Sequence, residues 1–561
     1  MRKSLLIVVS LLVAASLVLS GCGGKTPAPT GTVQPAVTAV PSPAKKVVTI
    51  IFPQEFDTLG PLYTDMWFAW ATWQLYLAWA WEFDENNEPF PKLVTEIPSA
   101  DNGGISADGT VITMHLRDDI KWSDNVPITA DDFIFTWQMA VSQQNTVSSA
   151  YPYDHIADVS APDPQTVVIT FAEPFAPWLA TLWHGILPKH ILQPIYDAEG
   201  TLDNADWLKN PTVGCGPFLL AEWQSGSFAR FERNPNYWST PAKIDEVFIR
   251  FVPEALKEAL LAGDADLGTY IPYSDVPDLE NAGLKIVTEP NGYNEGLFFL
   301  DDTSGKLGNP GLRDVNVRKA IVLAIDRDAI NRDLHYGLTK VPASFWDALP
   351  YYNDPPLTNY PYDPGQAKAL LDAAGWKDSN GDGTRDKDGV ELVLQYGTSI
   401  SKDRQDTQAV IQQDLAAVGI RVEIQSLDAD IFLATYGEGG PAAKGQIDIM
   451  EWSDGPVFPD ADIYYWLCSE IPSADNPQGS NWFYTCDQKL NDLVALQSTQ
   501  VDANARQKTI SQINQLFYDQ IYWIGLWQDP DVYAVGPRLQ GEKFSGVTPF
   551  FNIADWDIVN P

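Results

Sequence analysis

Positive charge is the first thing this chain lacks: 36 Lys and Arg stand against 74 Asp and Glu over 561 residues, a formal charge of −38. Nucleic-acid binding is disfavoured by that sign, because phosphate contacts need clustered cations. Histidine is equally sparse. The five present (His115, His155, His184, His190 and His335) are scattered without metal-ligand spacing. No Gly-x-Ser-x-Gly elbow, His-Glu-x-x-His pair, Walker A loop or complete Gly-x-Gly-x-x-Gly occurs, so nothing nominates an enzyme. Acidic pairs are too common in so acidic a chain to mark a glycosidase. No repeat of fixed period is present, which argues against solenoids and propellers. Only one long apolar run exists, and it lies at the N-terminus.

That run, Leu5 to Leu19, follows Arg2 and Lys3 and precedes Leu19-Ser20-Gly21-Cys22. It is shorter than the ~20 residues of a spanning helix and has the layout of a signal peptide over 1–21. Small residues directly before a cysteine resemble the lipobox of bacterial lipoproteins, in which Cys22 is lipidated after cleavage. Residues 22–44 are rich in Gly, Pro, Thr and Ala and hold no aromatic residue, so they read as a flexible tether. The expected location is extracytoplasmic, lipid-anchored to the cell membrane, on a periplasmic or cell-surface face. Three cysteines remain. Cys468 and Cys486 are expected to pair, closing a short loop worth roughly 3 kcal/mol in the chain-entropy account, with a Cys215 partnership as the alternative. Cys215 is expected to be a small buried residue.

The body alternates between periodicities. Val111 to Leu116 places Ile112, Met114 and Leu116 on one face, as a strand does. Thr129-Ala130-Asp131-Asp132 then reads as an N-cap with an acidic N3, opening a helix with Phe133, Trp137, Ala140 and Val141 on one stripe. Val317, Ala320, Ile321, Ala324 and Ile325 recur at helical spacing. Gln408 to Val418 is a further amphipathic helix, stopped by Gly419 and followed by alternating Ile420, Val422 and Ile424. Helix, glycine stop and buried strand together predict an α/β fold of two to four lobes.

Six segments, in order, resemble the family 5 extracellular solute-binding proteins, which include dipeptide, oligopeptide and nickel binders of ABC importers. They are Thr113–Arg117 running through Ile120–Asp124 to Thr129–Phe133; Ala161–Val167 with Leu187–His190; Gly214-Cys215-Gly216-Pro217-Phe218 leading to Asn234–Trp238 and Lys243–Val247; Val317–Ala320 with Ala324–Arg327; Asp363-Pro364 to Ala374-Gly375; and Leu415–Ile420 with Val422-Glu423. Cys215 stands where the family usually has Thr. The resemblance implies a two-lobed periplasmic-binding-protein-like fold with a hinge and an additional inserted subdomain. On that pattern lobe I is built from residues 45–65, 211–290 and 525–561, the extra subdomain from 66–210, and lobe II from 291–524. A ligand would be enclosed between lobes that close by hinge motion. A monomer that hands its cargo to a membrane permease is implied, with no cofactor required.

In peptide-binding members an aspartate in the segment of Trp452-Ser453-Asp454 and Phe458-Pro459-Asp460 pairs with the ligand's α-ammonium, a charge-assisted bond. The spacing here is longer than usual, so Asp454 is favoured and Asp460 stays open. Asn481 and Trp482 are candidate cleft residues. Trp67, Trp70, Trp73, Trp79 and Trp81 read either as a buried helix face or as an aromatic platform, and the latter keeps an oligosaccharide ligand as the alternative to a peptide. A secreted polysaccharide hydrolase is a third, weaker reading, and nickel binding the weakest. Asp378, Asn380, Asp382, Thr384 and Asp386, with Gly383 at position 6, match the first half of a calcium loop; Gly389 replaces the bidentate glutamate, so structural calcium competes with a hydrophilic turn.

Overall fold

The computed structural model describes residues 45–559 apart from Asp65, Pro350, Asp354 and Val457. The leader, Cys22 and the tether lie outside the described residues. Ten strands form one mixed sheet: Val47–Phe52 (β1), Phe218–Gln224 (β2), Phe228–Arg233 (β3), Glu246–Phe251 (β4), Leu267–Gly268 (β5), Lys285–Phe299 (β6), Val393–Ser399 (β7), Arg421–Leu427 (β8), Ile449–Asp454 (β9) and Trp523–Val535 (β10). Their spatial order is β8-β7-β9-β6-β10-β5-β1-β4-β3-β2.

The two long strands in the middle, β6 and β10, pair antiparallel and run through both halves of the sheet. Val287, Tyr533 and Val535 join one core, shared with β1, β3 and β4. Leu297, Phe299, Ile524, Leu526 and Trp527 join another, shared with β7, β8 and β9. The two cores therefore meet along these strands. The ladder shifts register between Pro290 and Asn294. A break in pairing at that point makes it the natural bend between two rigid halves.

Helices cover the sheet where the sequence pattern places them. Val315–Ala324 buries Val317, Ala320, Ile321 and Ala324. The helix expected at Gln408 begins earlier, at Lys402, because the Ser401 hydroxyl caps the Arg404 N–H; it runs to Ala417. Gly419 then turns the chain with φ +88°. In β8 Val422 is buried but Ile424 is exposed, since this is the edge strand. Asp132, at the start of the helix Ala130–Ala140, accepts the Thr129 N–H at 3.0 Å as the capping pattern requires. That helix buries Phe133 and Ala140 but leaves Trp137 only partly covered, burying Phe135 and Met139 instead.

The inserted region contributes a three-stranded antiparallel sheet (Val111–His115, Thr166–Phe171, Ile156–Asp163) and the helix Trp67–Tyr76, here α1. Its apolar residues are continuous with the core of the first half. The seam is a close approach of two backbones. The Cys215 and Gly216 N–H groups both donate to the Tyr76 carbonyl, at 2.8 and 2.9 Å. A Cβ on Gly214 would lie 2.2 Å from that carbonyl oxygen, and one on Gly216 would lie 2.5 Å from the Leu75 oxygen. Ser123 N–H donates to the Gly214 carbonyl at 2.8 Å, Asn234 Nδ2 to Gly216 O at 2.9 Å and Trp238 Nε1 to Cys215 O at 2.9 Å. Cys215 itself is a free, buried thiol whose pKa burial pushes up. Gly216→Ala must part these backbones, so we expect a loss of about 2 kcal/mol or more, read as a lowered urea midpoint at unchanged slope.

Candidate functional site

A cavity of about 750 Å³ opens where the ladder breaks. That volume suits enclosure of a small ligand. The inserted region supplies α1, with Trp67, Trp70 and Trp73 in the wall, and the first half supplies Tyr270, Gly546 and Val547. The inserted region adds Tyr151, Thr181 and His184. Asn291 and Tyr293 come from the register shift in β6, and Asp454, Phe458, Tyr464 and Tyr465 from the end of β9 and the chain after it. Tyr151 and Tyr464 stack across it with ring centres 5.3 Å apart.

Two of the wall tryptophans are fixed at their polar ends. Trp70 Nε1 donates to the Val547 carbonyl at 2.7 Å, and Trp67 Nε1 to Asp531 at 3.2 Å. Their ring faces are left to shape the cavity, an arrangement suited to apolar or stacked ligand groups. Trp79 and Trp81 are buried, and Trp79 stacks on His184 at 4.1 Å. The aromatic stretch is thus both platform and core.

Asp454 closes β9, opposite Asn294 of β6. It accepts the Gly455 N–H at 2.8 Å, Trp452 Nε1 at 3.1 Å and the Tyr465 hydroxyl at 3.4 Å. None of these donors is charged, and among the described residues no Lys or Arg lines the cavity. Burial pushes the Asp454 carboxyl up to about 6 against the pull of those three bonds. The turn that follows is tight: a Cβ on Gly455 would meet the Gly292 carbonyl at 2.2 Å. An anion with uncharged partners in a low-dielectric wall is a ready site for a cation.

Residues 31–473 match the bacterial extracellular solute-binding proteins, family 5. The chain belongs to that family. Similar proteins include the oligopeptide-binding protein AppA of Bacillus subtilis, 26% identical with 99% of both chains covered. The dipeptide-binding protein of Escherichia coli is 27% identical over 75% of this chain and 78% of its own length. Among solved structures, NikA from Brucella suis in complex with Fe(III)-EDTA superposes with TM-score 0.76 at 20% identity, covering 91% of this chain and all of its own. AppA in complex with a nonapeptide gives 0.71 at 23% identity, over 92% and 99%. These likenesses establish the two-lobed family fold.

Of the residues singled out in the sequence, Asp454, Trp67 and Trp70 meet at the cavity. Trp452 lies behind Asp454, stacked on Phe298 at 4.4 Å, with its indole N–H on the carboxylate. Asp460 is placed elsewhere. It is buried in a two-pronged pair with Arg506, both contacts 2.5 Å, and does not line the cavity. Asn481 is also buried: its Nδ2 donates to the Trp466, Leu467 and Thr485 carbonyls at 2.9–3.2 Å, holding the loop that the Cys468–Cys486 disulfide closes. Trp482 donates to Gly479 O and touches Trp452 at 6.0 Å, away from the cavity wall.

In the loop beginning at Asp378 the oxygens turn inward. Asp378 accepts the Gly381, Asp382 and Gly383 N–H groups, Asp382 accepts Thr384 N–H, and Asp386 accepts Ser379 N–H and Oγ. Asn380 Nδ2 donates to Asp382. Among the described residues no three acidic, His or Cys side chains converge as a metal site. The geometry is that of a turn closed on its own amides.

Sequence reasoning missed Tyr151, His184, Tyr270, Asn291, Tyr293 and Tyr465. They come from separate segments of the chain, Asn291 and Tyr293 sharing β6, and no local pattern joins them. Two outcomes follow from the aspartates. Asp460→Ala strands a buried guanidinium and should cost about 3–5 kcal/mol, whereas the double change Asp460→Met with Arg506→Met should restore much of the loss, both measured by denaturant unfolding. For Asp454 the folded carboxyl binds its proton more tightly than the unfolded one, so ligand-free stability falls as pH rises from about 4 to about 6. Asp454→Asn should flatten that dependence by about 1–2 kcal/mol between pH 4.5 and 7.5, read from the difference in unfolding free energy.

Proposed function

We infer that this protein captures a peptide in the interlobe cavity through the peptide's α-ammonium, and delivers it to the permease of an ABC importer. The observation that carries this reading is Asp454: a carboxylate in the cavity wall with only uncharged donors around it. A ligand ammonium would restore the charge balance that burial disturbs. The peptide-binding names of the sequence relatives from Bacillus subtilis and Escherichia coli point the same way. Aromatic walls would also suit a sugar, but an uncharged sugar leaves the buried charge uncompensated, so the peptide is favoured. Closure would bring the half containing residues 291–524 onto the half containing residues 45–65, 211–290 and 525–561, with 66–210 contributing the tryptophan wall. The chain would act as a monomer, tethered outside the cytoplasm through a lipid on Cys22. No helix among the described residues is long and apolar enough to cross a membrane.

Calorimetric titration with di- to pentapeptides tests the reading. Asp454→Asn should weaken binding roughly 30-fold or more, the scale of removing one partner of a buried charge pair. In the native protein affinity should fall as pH drops below about 6, by roughly tenfold per unit, because protonation of Asp454 competes with the cation. The Asn variant should lose that dependence. Cello- or xylo-oligosaccharides that bind while no peptide does would reverse the assignment of cargo.

A further inference from the structure

The cavity holds charge of one sign only. Among the described residues its wall contains Asp454 and neither Lys nor Arg. His184, its single histidine, is stacked on Trp79 and edge-on to Trp70 at 4.9 Å, and burial pushes its imidazole down to about 3, so it is neutral. Directly behind the wall lies a second carboxyl group, that of Asp531, which accepts Asn291 Nδ2 at 2.9 Å and Trp67 Nε1. Those two bonds, with that from Trp70 to Val547, occupy three neutral N–H donors, and the wall donors without a partner, Trp73 Nε1 and the Tyr151 hydroxyl, are uncharged. The buried cations of the second half are committed elsewhere. Arg404 grips both oxygens of Glu295 at 2.8 and 2.9 Å, and Arg506 both oxygens of Asp460. An ammonium is therefore welcome in this space, whereas a carboxylate enclosed with it would have no counter-charge and would face two aspartates.

Building on the reading of Asp454 above, we propose that the cavity selects ligands with one cationic end and an uncharged remainder, such as short C-terminally amidated peptides, and discriminates against short peptides whose free carboxylate must be enclosed. Longer peptides escape this penalty once their C-terminus reaches solvent.

The test is calorimetric titration of the full chain with matched pairs: Phe-Ala amide against Phe-Ala, then tri-, tetra- and pentapeptide pairs, each also N-acetylated. At the shortest length that binds, the amide should bind tighter by on the order of tenfold or more, the effect of an unsatisfied buried charge, and the ratio should approach one as length grows. A free acid that binds as tightly as its amide at that length, while acetylation still abolishes binding, overturns this proposal and leaves the ammonium reading standing. Acetylated and free-amine peptides that bind alike remove the ammonium reading and this proposal together, as does the absence of binding by every pair.

Discussion

One antiparallel ladder, β6 on β10, holds the two halves of this protein together, and the residues that bend and those that line the cavity are both consequences of it. Each strand begins in one hydrophobic core and ends in the other. Where the ladder slips between Pro290 and Asn294, backbone pairing is lost and side chains are re-aimed; Asn291 and Tyr293 thereby enter the cavity. The same strands carry Glu295, Asp529 and Asp531 into the interior. Only Glu295 has a cation, Arg404. Asp529 relies on the hydroxyls of Tyr273 and Ser453, and Asp531 on Asn291 and Trp67; burial raises both carboxyls, Asp531 to about 7. Nearby, Glu451 is hydrogen-bonded by the Tyr396 hydroxyl and is raised by burial and by the neighbouring Glu295. Such an arrangement adds little net stability, because desolvation opposes it, but every bond is geometrically exacting. It fixes how the halves meet.

The segments that made the family legible in the sequence are the ones that staple this frame. Gly214 to Phe218 and Asn234 to Trp238 are constrained by backbone contact with α1 and by side-chain bonds to carbonyls. No other residue fits Gly214 or Gly216, so chemistry writes them into the sequence. Helices at Val315 and Lys402 were readable from apolar spacing for the same reason: burial enforces a period. The cavity obeys no such rule. Tyr270, Tyr293 and Tyr465 are single residues on different elements, related only through the folded chain. The register shift inside two continuous strands was not legible, because strand periodicity does not change where a ladder slips.

Asp454 and Asp460 show how little residue type alone decides. They lie six positions apart, both enclosed, both in a segment that could have served a ligand. The difference is supplied by the helix Ala503–Gln520, whose Arg506 reaches Asp460 and not Asp454. A bidentate guanidinium satisfies Asp460 completely and makes it part of the frame. Asp454 receives a backbone amide N–H, an indole N–H and a hydroxyl, enough to orient the carboxylate but not to neutralise it. The protein bears the desolvation of that charge in the empty state, which is why the carboxyl is raised to about 6. Interaction energy withheld there is available only to a cation that enters from outside. The strained electrostatics of one aspartate, set beside its fully paired neighbour, thus sets the proposed binding residue apart from the structural one on physical grounds.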